Sequence, residues 1–247
     1  MNKVVKFQLA IFAVITAYAL FRFISISDIS LTLWQRIYWG NIIKDSFLLI
    51  AYILISYAVF NIIRFNPKTG PAIIKGSILK KSLYFFIAVF WTTMITRMFS
   101  DSFKMIFPFN KLKLYQFADL LDETLGHIFL YIPIIAVYFI GTLLEIERPS
   151  KKPLFQLETI LLFILSVLGG IGWGLNLTEG NFSALTSLPL MILFLIFTAF
   201  IFIKHKLKFN HRPWSLSFLI IYTFGSLTFI SYGLIFKSFP QIFTLIK

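Results

Sequence analysis

Apolar side chains gather into long blocks, parted by short segments rich in lysine, arginine, asparagine and proline. A helix needs roughly 20 apolar residues to cross a hydrocarbon layer about 30 Å thick. Seven blocks approach that length, at about 7–25, 45–63, 82–98, 127–144, 157–175, 185–203 and 214–236. They predict helices, because an open strand would leave its amide groups unsatisfied in lipid and the period-two alternation of a membrane β-barrel is missing. The predicted fold class is therefore all-α, a polytopic membrane helical bundle of about seven transmembrane helices, with 1–247 forming a single domain.

Aromatic residues mark the block ends. Trp34, Tyr38 and Trp39 precede the second block, Trp173 ends the fifth and Trp214 starts the seventh, positions where amphipathic rings favour the headgroup layer. The 28–44 segment reads either as an interfacial helix, with Ile29, Leu31, Leu33, Trp34, Ile37 and Tyr38 approximating an apolar stripe that Arg36 interrupts, or as a plain connecting loop. The first block follows Met1-Asn2-Lys3 in the manner of a signal peptide, but Phe21-Arg22-Phe23 stands where small residues would mark a cleavage site. It is read as the first span.

Basic residues set the orientation. The 176–184 connection carries no lysine or arginine and is expected outside. Its neighbours, with Arg148, Lys151 and Lys152 in one and Lys204, Lys206, Lys208 and Arg212 in the other, then lie inside. Arg64, Lys68, Lys75, Lys80, Lys81, Lys3 and Lys6 fall on the same side, so fourteen of the 23 basic residues are inside. The amino terminus is expected inside and the carboxyl terminus outside a plasma membrane.

Composition sharpens this picture. Of 247 residues, 58% are apolar and 13% charged, against about 25% charged in a soluble domain. The net charge of +13 is spread over short inter-block segments rather than one soluble face, which argues against nucleic acid as a partner. The absence of cysteine excludes disulfides, thiolate metal sites and cysteine nucleophiles. Membrane lipids are the expected partners, with other membrane proteins or further copies of the chain beside them, and no cofactor is implied.

The densest chemistry precedes the fourth block. Asp119, Asp122, Glu123 and His127 form a candidate polar cluster at the outer interface. In a regular helix Asp119, Glu123 and His127 share one face, with Asp122 beside them. Such a set suits a divalent metal, with Asp119, Glu123 and His127 as its ligands, or proton exchange. The simpler reading is acidic residues complementing a helix start, with His127 reaching the headgroups. Asp28, Asp45, Arg97 and Asp101 enlarge the cluster if helix ends meet, although Arg97 and Asp101 read first as an ordinary i,i+4 pair. Glu145, Glu147, Arg148 and Glu158, toward the inside, read as solvated ends.

Several motifs are weaker. Gly169-Gly170-Ile171-Gly172-Trp173-Gly174 lacks the strand that a dinucleotide loop requires, and reads as a place of close helix approach or a loosened helix end. The seventh block's Tyr222, Thr223, Ser226, Thr228, Ser231 and Tyr232, with Gly225 and Gly233, read as close packing ahead of a hydroxyl-lined pathway. Two triplets, Asn176-Leu177-Thr178 and Asn181-Phe182-Ser183, have the form of glycosylation acceptors. Arg97-Met98-Phe99-Ser100-Asp101 resembles the opening of certain potassium-channel pore helices, but Lys104, Pro108 and Lys111 replace the apolar run that should follow. A retinal linkage needs a lysine that 216–236 lacks.

Charges are missing from the middles of the blocks, which weighs against proton-coupled transport. The leading expectation is a non-enzymatic component of membrane transport or of membrane and envelope assembly. One alternative is a membrane-embedded, metal-dependent enzyme acting on a lipid-linked substrate at the outer interface. Another is a seven-helix sensor with a separate output partner.

Overall fold

The computed structural model describes residues 2–26, 44–107, 113–177 and 181–236. Among them no strand occurs. The helices are α1 (Lys3–Ile26), α2 (Lys44–Phe65), α3 (Gly76–Ile106), α4 (Lys113–Asp119), α5 (His127–Glu147), α6 (Gln156–Asn176), α7 (Asn181–Lys204) and α8 (Pro213–Phe236). A π-helical turn, Leu120–Gly126, joins α4 to α5, and a 3-10 turn, Phe209–His211, precedes α8.

Six helical stretches are long and apolar enough to cross a membrane: Asp45–Phe65, Gly76–Lys104, Lys113–Glu147, Gln156–Asn176, Thr186–Lys204 and Pro213–Phe236. They coincide with the second to seventh expected blocks. The first block falls within α1, which is not among the six, so the described structure counts six candidate spans where about seven were expected. Residues 28–43, with Trp34, Tyr38 and Trp39, lie outside the described residues.

The α5 stretch stands at the centre. Of its apolar window 72% is buried, against 22% to 39% in the other five, and it packs on α2, α3, α7 and α8. Around it, Tyr52 of α2 stacks on Phe90 of α3 with centroids 3.6 Å apart, and Phe139 of α5 stacks on Phe194 of α7 at 3.9 Å. Flat ring faces let neighbouring helices share large contact areas.

α6 and α8 run parallel in constant register. Ser166 meets Ser217 through a buried 2.9 Å hydroxyl contact. One turn on, a Cβ on Gly170 would stand 2.7 Å from the Ile221 carbonyl oxygen, and one turn further a Cβ on Gly174 would overlap the Gly225 carbonyl. Three small residues four apart thus let the two backbones touch, as small-residue stripes do between membrane helices. The close-approach expectation holds for Gly170, Gly174 and Gly225. Gly172 points elsewhere, with nothing within 4 Å of its would-be Cβ.

Trp214 departs from its expected place at the headgroups. It is wholly buried, stacked on Tyr138 at 4.8 Å with its indole N–H donating to the Tyr138 carbonyl at 3.0 Å. The ring seats over Gly141, where any Cβ would strike it. Trp173 likewise turns inward, edge-on to Tyr131 and donating to the Met191 sulfur at 3.3 Å.

Candidate functional site

A polar cluster forms around Asp122, between α3 and the π-helical turn ahead of α5. At roughly 1.5 Å per residue the 29 residues of Gly76–Lys104 extend to about 44 Å, longer than the hydrocarbon is thick. A helix of this length can carry Asp101 and Lys104 beyond a hydrocarbon layer. Arg97 Nε donates to Asp122 Oδ1 at 3.0 Å, and Lys104 Nζ to Asp122 Oδ2 at 2.6 Å. Lys104 also stands 3.3 Å from Asp119 and 3.7 Å from Asp101. Asp122 is 2% exposed and its two cations 13% and 15%, so these are interior charge pairs, with less water screening them than at the surface. Asp45, buried at the start of α2, lies within electrostatic reach of Arg97.

The π turn explains which carboxylate faces inward. Regular helical spacing predicts one face for Asp119, Glu123 and His127, but the wider turn of Leu120–Gly126 breaks that register. Asp122 is presented to α3, while Asp119 remains half-exposed. His127 is buried, its ring 6.1 Å from that of Tyr131, rather than reaching for the headgroups. The Glu123 side chain lies outside the described residues. Among the described residues no three histidine or acidic side chains converge as metal ligands would. Arg97 pairs across to Asp122, and Asp101 stands beside both, 3.7 Å from Lys104 and within electrostatic reach of Arg97. Two cations seven residues apart on one helix face were the sequence signal for a partner carrying carboxylates.

At the opposite end, the residues expected as solvated ends are interior joints. Glu145 is fully buried and accepts the backbone N–H of Trp214 at 3.0 Å, the N–H of Ser215 at 2.7 Å and the Ser215 hydroxyl at 2.9 Å. A carboxylate from α5 therefore caps the start of α8, where unsatisfied amides and the helix dipole favour negative charge. Glu147 pairs with Lys68 at 2.7 Å. Arg148 donates to the Ile63 carbonyl at 3.0 Å, closing the end of α2. Glu158 accepts the Phe155 amide at 3.2 Å and that of Asn2, tying α6 to the start of α1. Glu145→Gln keeps one acceptor and loses the charge, and is expected to lower stability by about 1–2 kcal/mol. Thermal unfolding in mild detergent measures it, and an unchanged midpoint would refute the capping role.

Set beside known proteins, the chain matches no family model, no curated protein and no solved structure. Its fold and its two braced ends define the class: an all-helical bundle with six helices fit to cross a membrane, a multi-pass membrane protein by length and composition.

Proposed function

We propose that the chain is a non-enzymatic component of membrane or envelope assembly, lying in the plasma membrane with α1 as a seventh crossing beside the six candidate spans, its amino terminus inside and its carboxyl terminus outside. The central position of α5 carries this reading. A conduit for solutes needs polar groups along its path, yet the core of this bundle is filled by a helix burying Leu130, Ile135, Val137, Ile140, Leu143 and Ile146. Thr142, buried within it, donates to its own helix at Tyr138. A bundle with a filled centre works through its outward faces, so assembly is favoured over transport. Asp122, Glu145, Glu147 and Glu158 each serve a cation or a helix end, which supports bracing rather than acid-base work. The orientation rests on charge: the Glu145 end gathers fourteen of the 23 basic residues, and lysine and arginine concentrate on the cytoplasmic side.

A specific feature favours one second reading, an enzyme for a lipid-linked substrate. A groove of about 350 Å³, lined by Ile95, Phe99, Phe103, Leu114 and Phe117, runs beside the Asp122 cluster. It would seat an acyl chain next to charged groups.

The cysteine-free sequence gives a direct test. Single cysteines at Phe99, 79% exposed, and Leu193, 60% exposed, carry a crosslinker in native membranes. The expected outcome is a discrete product with another membrane protein or a second copy, while the purified chain in liposomes passes no solutes and converts no lipid-linked substrate. Solute flux by the purified chain would overturn the assembly role in favour of transport. Lipid conversion lost on His127→Ala would establish the enzyme.

A further inference from the structure

The two connections at the Glu145 end are knitted into one surface. Ser150 N–H donates to the His211 carbonyl and Leu154 N–H to the Asn210 carbonyl, both at 2.8 Å. The His211 ring lies with Nδ1 3.0 Å from the Ser150 carbonyl. Between the connections opens a cleft of about 500 Å³.

The lining of this cleft has one sign of charge. Lys151, Lys206, Lys208, His211 and Arg212 line it together with uncharged Thr69, and no acidic residue does. Arg212 is 8% exposed, and its Nε is buried without a hydrogen-bond partner. One terminal nitrogen donates to the Lys208 carbonyl at 3.1 Å. Burial pushes the Arg212 pKa down and Glu145 pulls it up, yet a guanidinium stays charged in proteins. The nearby carboxylates are already engaged, Glu145 with the start of α8 and Glu147 with Lys68. A buried guanidinium with a spare donor, belonging to a residue that lines a cleft ringed by lysines, is an arrangement complementary to an oxyanion.

We propose that this cleft binds a phosphate group, presented either by an anionic lipid headgroup or by a small soluble phosphate. The cleft lies where the ends of α7 and α8 leave the apolar stretch, the level at which headgroups reside. Its volume admits a phosphate with its substituent. The inference stands apart from the assembly role and survives if that role fails.

The full-length chain in nanodiscs, with phosphatidylglycerol mixed into phosphatidylcholine, gives the first arm of the test: native mass spectrometry counts the phosphatidylglycerol retained. The second arm titrates inorganic pyrophosphate into the detergent-solubilised chain. The variant Lys206→Gly with Lys208→Gln removes two cleft charges. Lys206 holds a left-handed backbone, φ 49°, which glycine adopts without strain, so the fold is preserved. The control is Lys80→Gln with Lys81→Gln, which removes equal charge from exposed positions at the same end of the bundle. Retention of phosphatidylglycerol that falls about tenfold in the cleft variant and not in the control establishes the headgroup as source. Pyrophosphate binding lost in the same pattern establishes a soluble phosphate. No binding in either arm, or equal losses in cleft variant and control, overturns the proposal.

Discussion

Asp122→Ala is expected to lower stability by about 3–5 kcal/mol, because it leaves two largely buried cations facing an emptied position. The effect should not fall evenly on the two partners. Lys104 retains Asp101 and Asp119 as neighbours, whereas Arg97 loses its described ion-pair partner. Replacing both members, as Arg97→Met with Asp122→Leu, removes the stranded charge and restores apolar volume, so the double variant should recover most of the loss. A double-mutant cycle of Arg97→Met and Asp122→Leu, read by unfolding in mild detergent, isolates the coupling, expected at about 3 kcal/mol. Asp122→Ala within about 0.5 kcal/mol of the parent, the range of an ordinary surface change, would show that the pairs do not brace α3 against the helix break.

This joint also marks where the sequence stops being legible. The helices were readable because lipid forces every spanning backbone to satisfy its own hydrogen bonds, so the lengths of the apolar blocks place the six candidate spans. The residues of the outer cluster were readable too, since Asp119, Asp122 and His127 interrupt an otherwise apolar pattern. Their directions were not. A regular period assigns Asp119, Glu123 and His127 to one face, and nothing in Leu120–Gly126 announces a turn widened enough to present Asp122 instead. The Arg97–Asp122 pair was out of reach for a related reason: spacing reveals neighbours on one helix, such as Asp101, but not a carboxylate on another.

The inner joints were hidden by distance along the chain. Glu145, at the close of an apolar block, reads as reaching water because the amides it caps lie some 70 positions later, at Trp214 and Ser215. Once that cap draws the start of α8 against α5, Trp214 has no route to the headgroups, and Gly141 provides the only size of residue its ring tolerates. One long-range contact thus changes the reading of three residues. The glycine run behaved differently, since its small size is a local property and predicts close approach whatever the partner, though only the fold distinguishes Gly170 and Gly174 from Gly172.

That distinction gives the second large effect, with opposite signs inside one turn of helix. Gly174→Ala places a methyl group against the Gly225 carbonyl and the Thr228 side chain, and Gly170→Ala meets the Ile221 carbonyl. A flexible side chain can rotate aside, but here backbone blocks the way, so α6 and α8 must separate. Overpacking of this kind costs about 1–3 kcal/mol per site, and the loss should be greater at Gly174, where overlap is deeper. Gly172→Ala meets nothing within 4 Å and replaces the most flexible residue in a helix by the best helix former, a gain of about 0.5–1 kcal/mol. Unfolding midpoints of the three variants in one detergent should therefore order as Gly172→Ala, parent, Gly170→Ala, Gly174→Ala. Crosslinking between cysteines at Ser166 and Ser217, whose hydroxyls touch in the parent, reports the separation independently of stability. If Gly174→Ala left both the midpoint and that crosslink unchanged, α6 and α8 would not meet in the parallel register that organises this side of the bundle.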